Sequence, residues 1–168
     1  MALRASASGV PYQTMAGLWG SQQITKIPEL FRVVNDPFTG EKVIAVKALR
    51  PDYAIVHVQE ADEFGNARIN GPDYQDILLT RASKKTIITA EKIVPTASLK
   101  KDFKSVGIPH FLVAAVVELP GGAKPCSCFD LYDTVDPAGM KAYQAAVKAG
   151  TVQEYLTNAV DSAVKGRA

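Results

Sequence analysis

Two short stretches of this chain carry residue types able to bind or shape a reacting group. The first runs from His57 to Asn66 and reads His-Val-Gln-Glu-Ala-Asp-Glu-Phe-Gly-Asn. An apolar strand enters a turn in which Gly65 takes positive φ without steric cost, Asn66 tolerates the same region, and Asp62 hydrogen-bonds the turn's amides. The second is Leu119-Pro-Gly-Gly-Ala-Lys-Pro125. Its residues carry little or no side chain, so backbone amides can approach an acyl carbonyl or a phosphate closely. Gly121, Gly122 and Ala123 are therefore candidate substrate-binding residues, together with Gly65 and Asn66, which sit where a strand delivers the chain into a turn. Lys124 is a candidate phosphate partner, although a single loop lysine is ordinarily solvated.

Other reactive residue types read as structural. His57 lies inside an apolar strand and is expected to be a hydrogen-bonded core histidine. His110 has no cysteine or carboxylate at ligand spacing, and Cys126 and Cys128 are too few for a four-ligand zinc set, so no metal is expected. One intervening residue would strain a disulfide between the two cysteines, and no leader is visible before residue 10. Free thiols in a reducing cytosol follow as the expectation. Gly-x-Ser-x-Gly is absent, and nothing near Asp62 in sequence makes it a general base.

The elements that must position these loops are legible from periodicity. Val43 to Val46, Tyr53 to Val58, Ala67 to Ile69, Thr86 to Thr89 and Phe111 to Leu119 read as strands, and Asp73 to Ser83 as a helix. Glu91 to Ile108 holds Pro95, Gly107 and four lysines and reads as a surface connection. Two helices close the chain. Asp136-Pro137 marks the start of one, Gly150 its end, and Thr151-Val-Gln-Glu154 is a capping box for the next, whose buried stripe is Tyr155, Leu156, Ala159, Val160 and Ala163. Residues 1–35, broken by Gly9, Pro11, Gly17 and Gly20, read as an irregular arm ahead of a domain spanning 36–168. Strands alternating with helices predict an α/β fold, a single domain with a mixed or mostly parallel sheet flanked by helices.

At 168 residues with 47% hydrophobic and 21% charged residues, the chain can bury a core. A net charge of +2 with scattered lysines predicts no nucleic-acid partner. No apolar run approaches the ~18 residues a bilayer span requires, so no membrane association is expected.

The Ala61-Asp-x-x-Gly-Asn66 turn, preceded by Asp36-Pro-Phe-Thr-Gly-Glu41 and followed by Leu119-Pro-Gly-Gly-Ala-Lys-Pro125, resembles family I coenzyme A transferases, most like the second half of the glutaconate-type A subunit. The resemblance implies the CoA-transferase (NagB/RpiA-like) fold and an A-type role in moving CoA between an acyl thioester and a carboxylic acid. It implies no permanently bound cofactor, with the coenzyme A thioester as substrate. The nucleophilic glutamate belongs to a B-type partner in that family, so no catalytic residue is expected in this chain. The family's early glycine-rich loop has no counterpart here, which implies a hetero-oligomeric assembly and a chain that is a split gene product, a trimmed piece of a subunit, or one completed by a further chain supplying the missing N-terminal half. The edges of the Tyr53 and Phe111 strands are then expected to be exposed or covered by a partner. Two other roles fit the same scaffold: a component of a hydrolase or ring-opening enzyme for a CoA-linked, for example steroid-derived, intermediate, and a non-catalytic assembly subunit.

Overall fold

The computed structural model describes residues 1–132 and 137–165. In chain order the elements are α1 (Ala2–Ala7), β1 (Tyr12–Met15), α2 (Gln23–Lys26), β2 (Phe31–Asn35), β3 (Lys42–Lys47), β4 (Tyr53–Ala61), β5 (Ala67–Arg68), α3 (Asp76–Ala82), β6 (Lys85–Ile93), α4 (Thr96–Lys100), β7 (Val106–Ile108), β8 (Val113–Glu118), α5 (Pro137–Ala149) and α6 (Val152–Lys165). They form an α/β structure with a mixed sheet flanked by helices, as the strand and helix alternation predicts. Where the sequence implies one domain, the chain divides into two compact units, Met1–Gly122 and Ala123–Ala168. The break falls within the Gly121-Gly122-Ala123 stretch, where the backbone is least restrained by side chains.

The first unit is built on a five-stranded sheet of order β7-β5-β4-β6-β8. Strands β4, β6 and β8 run parallel, with Val56 opposite Ile88 and Ile88 opposite Val116, whereas β5 is antiparallel to β4 and to β7. Side chains alternate faces along each strand. Val56, Val58, Ile88 and Ala90 point into a core shared with Ala61, Ala67 and Ile108. Full burial of Val58, Ile88 and Ile108 contributes roughly 1.5–3 kcal/mol each. Tyr53 and Ile55 of β4 point the other way and are 56% and 67% exposed.

The Tyr53 strand is not a sheet edge overall, since β4 lies between β5 and β6, but β5 covers only Glu60 and Ala61. The edge strands of this sheet are β7 and β8, and β8 begins at Val113 because His110–Leu112 forms a single 3-10 turn with Phe111 exposed.

Residues 1–35, expected to be an irregular arm, hold regular structure. β1 and β2 flank β3 in an antiparallel sheet, with Gln13 and Phe31 both opposite Val46. Phe31, Ile44 and Val46 form its core, against which Met15, Leu18 and Leu30 pack. The glycines that break every periodic pattern shorten these elements without abolishing them, because pairing with β3 supplies the order that local propensity lacks. Helix α1 is tied to α3 by the Ser6 hydroxyl donating to the Ala82 carbonyl at 2.9 Å.

Glu91 to Ile108 also departs from expectation. β6 continues to Ile93, α4 and β7 follow, and Val94, Leu99 and Ile108 are buried, so the segment helps close the core. Helix α3 starts at Asp76, later than predicted, because Tyr74 takes φ +36° and the Asp76 amide bonds the Asp73 carbonyl in a tight turn.

In the second unit, α5 and α6 are joined at Gly150, with the Tyr143 and Tyr155 rings meeting edge-on at 5.7 Å. α6 begins one residue after Thr151, as the capping box predicts. On α5, Ala146 is buried while Met140, Tyr143 and Val147 are exposed, and of the stripe predicted for α6, Leu156 and Val160 are exposed as well. Asp136, predicted to mark the start of α5, lies outside the described residues. No described helix is long and apolar enough to cross a membrane.

Candidate functional site

Four of the five candidate residues fall into two clusters, each following the carboxyl end of a parallel strand, where open α/β sheets place their ligands. The first follows β4. Asp62 is fully buried, and its Oδ1 accepts hydrogen bonds from the amides of Phe64 (3.0 Å), Gly65 (3.0 Å) and Asn66 (2.9 Å). Its Oδ2 accepts from the Asn66 side-chain amide at 2.8 Å. Burial raises the Asp62 pKa, but the hydrogen bonds from the Asn66 and Thr96 side chains and the turn amides outweigh it and hold the carboxyl below its ordinary range. Gly65 has φ +102°, and a Cβ there would lie 2.8 Å from Val113 Cβ, so both backbone geometry and packing require glycine.

Asn66 connects this turn to β7's exit. Its Oδ1 accepts the His110 amide at 3.1 Å and lies 3.3 Å from His110 Nδ1. Beside it opens a cleft of about 440 Å³, with Leu99, Phe103 and Pro109 as its apolar lining and Asn66, Lys100 and His110 as polar groups. The cleft gathers residues distant in sequence, and the turn itself is its only local signal.

The second cluster lies on the exposed face of β4 and β6 and includes two residues that sequence reasoning assigns elsewhere. His57 Nδ1 is 2.9 Å from Thr89 Oγ1, and His57 Nε2 is 2.8 Å from Glu91 Oε1. Glu91 Oε2 accepts the Gly121 amide at 2.8 Å. The His57 and Glu91 side chains are mostly buried. Gly121 has φ +73°, and a Cβ on Gly122 would lie 2.7 Å from His57 Cε1 and 2.9 Å from the Leu119 carbonyl oxygen. Glycine at 122 thus lets the loop settle onto the imidazole. With Glu91 as acceptor, the ring proton belongs on Nε2, and Nδ1 accepts from the Thr89 hydroxyl.

His57 is therefore the support of a loop, not a histidine of the apolar core, which lies on the opposite face. Its alternation with Val56 and Val58 carries that signal. Glu91 escapes sequence reasoning because it reads as the start of a surface connection, and its partners are 34 and 30 residues away. Ala123 separates from the other candidates: it begins the second unit, and its amide donates to Tyr132 Oη at 3.1 Å. Lys124 Nζ stands 5.7 Å from the centre of the Tyr132 ring.

A family model described as coenzyme A transferase matches residues 1–119. The A-type subunit of glutaconate CoA-transferase from Acidaminococcus fermentans is 34% identical over 163 residues, covering 88% of this chain and 51% of that protein. The cholesterol ring-cleaving hydrolase IpdA subunit of Mycobacterium tuberculosis is 35% identical over 130 residues, covering 72% of this chain and 44% of the relative. Among solved structures, a variant of the decarboxylase AibA/AibB superposes with a TM-score of 0.81 at 31% identity, covering 95% of this chain and 57% of that one. The chain spans about half the length of these relatives, which are named as a transferase, a hydrolase and a decarboxylase. The match over residues 1–119, on a mixed α/β sheet, shows that the chain belongs to the coenzyme A transferase family.

Proposed function

We propose that this chain is the later part of an A-type subunit in a heteromeric CoA-transferase, one that moves CoA between an acyl-CoA and a carboxylic acid. The observation that carries the reading is the pair of glycine-shaped loops after β4 and β8. Each is held by a carboxylate that occupies itself with backbone amides, Asp62 in one and Glu91 in the other. Neither carboxylate is left as an exposed nucleophile, which suits a chain whose role is to shape a thioester pocket. The glutamyl-CoA thioester then forms on a B-type partner. Gly65, Asn66, Gly121 and Gly122 line the substrate side, and the cleft beside Asn66 accepts an apolar segment with Lys100 and His110 at hand for an anionic group.

Partner chains are part of the proposal. The exposed side chains of Tyr53 and Ile55 and the edge of β4 ahead of its pairing with β5 leave surface for a chain supplying the remainder of the subunit. Cys126 is a free, exposed thiol, which fits a reducing, cytosolic setting.

The test is reconstitution. Co-expressed with its partners, the complex should exchange CoA between acyl-CoA and a free acid with ping-pong kinetics. Hydroxylamine should trap a glutamyl hydroxamate on the partner and not on this chain. A second reading, hydrolysis or ring opening of a CoA-linked intermediate, is favoured by the likeness to the IpdA subunit. Acceptor-independent release of free CoA or of a ring-opened product would establish it in place of transfer.

A further inference from the structure

We propose that His57 and Glu91 are positioning residues that latch the Gly121–Gly122 loop onto the sheet and set where its amides point. The inference rests on the reading of that loop as part of the substrate site.

Three independent contacts meet at this point. Glu91 spans two elements with its two oxygens, taking His57 Nε2–H from β4 with one and the Gly121 amide from the loop with the other. Thr89, next but one on β6, fixes the imidazole from its far nitrogen. The imidazole in turn occupies the space that a side chain at position 122 would need. The three residues share one sheet face because their register is set by the ladder, with His57 opposite Thr89 and Glu91 two residues further along β6. The imidazole is bonded at both nitrogens on the face of β4 away from Val56 and Val58, so its contacts are with the loop and not with the apolar core. A charge-assisted bond from a buried carboxylate to a backbone amide is also stronger than a neutral one, so it can hold a loop that has no side chains of its own to pack.

Glu91→Ala removes both bonds. Glu91→Gln keeps them by a predictable exchange: its carbonyl oxygen accepts the Gly121 amide, while its NH2 donates to Nε2 and the imidazole adopts the other tautomer, donating from Nδ1 to Thr89.

The experiment is amide exchange at Gly121, followed by NMR on the full chain, with turnover measured in the reconstituted complex. The Gly121 amide is expected to be protected in the wild type. Exchange should accelerate about tenfold or more in Glu91→Ala while the Asp62 turn keeps its protection, and Glu91→Gln should stay within about threefold of wild type. In the complex, Glu91→Ala should lower kcat about tenfold with little change in KM, and Glu91→Gln should restore it. An unprotected Gly121 amide in the wild type, or exchange unchanged in Glu91→Ala, overturns the latch and leaves the CoA reading standing. If Glu91→Ala does not fold, the wild-type measurement and a Glu91→Gln variant that releases Gly121 still decide against it. A loosened loop with unaltered kcat shows instead that the loop lies outside the site, which overturns its role in the reaction and spares the latch.

Discussion

The carboxylate of Asp62 and the side chain of Asn66 fix each other's orientation: Asn66 Nδ2 donates to Asp62 Oδ2 at 2.8 Å, which leaves Asn66 Oδ1 to accept the His110 amide at 3.1 Å. Asp62→Asn is therefore not conservative. Its Oδ1 can keep the three turn amides, but its new NH2 faces another NH2. Either that bond is lost, or Asn66 turns over and abandons His110. We expect a loss of about 1–3 kcal/mol in chemical denaturation and faster exchange of the His110 amide, with β4 and β6 undisturbed. Protection of His110 equal to wild type would contradict this coupling.

The same carboxylate makes stability depend on pH in a defined direction. Its folded-state pKa lies below the ordinary value. The contribution is complete above the unfolded carboxylate range near about 4 and is lost as the pH falls through the lower folded value. Denaturation of wild type and Asp62→Asn measured from neutral pH down to about pH 3 should show the two curves converging on the acid side. Curves that stay parallel throughout would remove Asp62 as the cause.

Gly65→Ala should be costly for two separable reasons. Alanine is strained at φ +102°, and its methyl would stand 2.8 Å from Val113 Cβ. Together these amount to about 2–4 kcal/mol, or a Tm lower by roughly 5–12 °C at this chain length. Val113→Ala removes Cγ1, which would also stand 2.8 Å away, but leaves Cβ in place, so it relieves the clash only in part. A double variant recovering the whole loss would show that the contact, and not backbone strain, causes it.

Thr86 offers a change in the opposite direction. It is fully buried on the core face of β6, between Ala54 and Val113, and its Oγ1 has no hydrogen-bond partner among the described residues. Valine has nearly the same shape, favours strands equally well and carries no hydroxyl to desolvate. Thr86→Val should raise the Tm by about 2–4 °C, corresponding to ~1 kcal/mol, without altering turnover in the complex. A lowered Tm would mean that the hydroxyl is satisfied in solution.

The strand β4 and the turns at Gly65 and Gly121 are legible in the sequence because their chemistry is local: alternation decides which side chains face the core, and positive φ asks for glycine. Residues 1–35 are not, since β1 and β2 acquire order only by pairing with β3. Glu91 illustrates the same limit for the site. A glutamate late in a β-branched run resembles a strand end facing water, and only the fold shows that a histidine and a loop amide from other elements claim both its oxygens. The exposed apolar faces of α5 and α6 mark a related failure. Periodicity reports that a face is apolar but not what covers it.

Gly122 tests whether the close approach of loop and imidazole matters by itself. Its φ is not positive, so Gly122→Ala carries no left-handed strain, and its effect comes from contacts alone. The added methyl would meet His57 Cε1 at 2.7 Å and the Leu119 carbonyl oxygen at 2.9 Å. The imidazole is tethered at both nitrogens and the carbonyl is backbone, so the loop itself must move. We expect a Tm lower by roughly 2–6 °C and a fall in kcat/KM of about tenfold in the reconstituted complex. Combining it with His57→Ala should recover only part of the loss, because the Leu119 contact persists and Glu91 loses its donor. Full recovery in the double variant would show that the clash with the imidazole alone displaces the loop, and no recovery would show that the clash with the Leu119 carbonyl does.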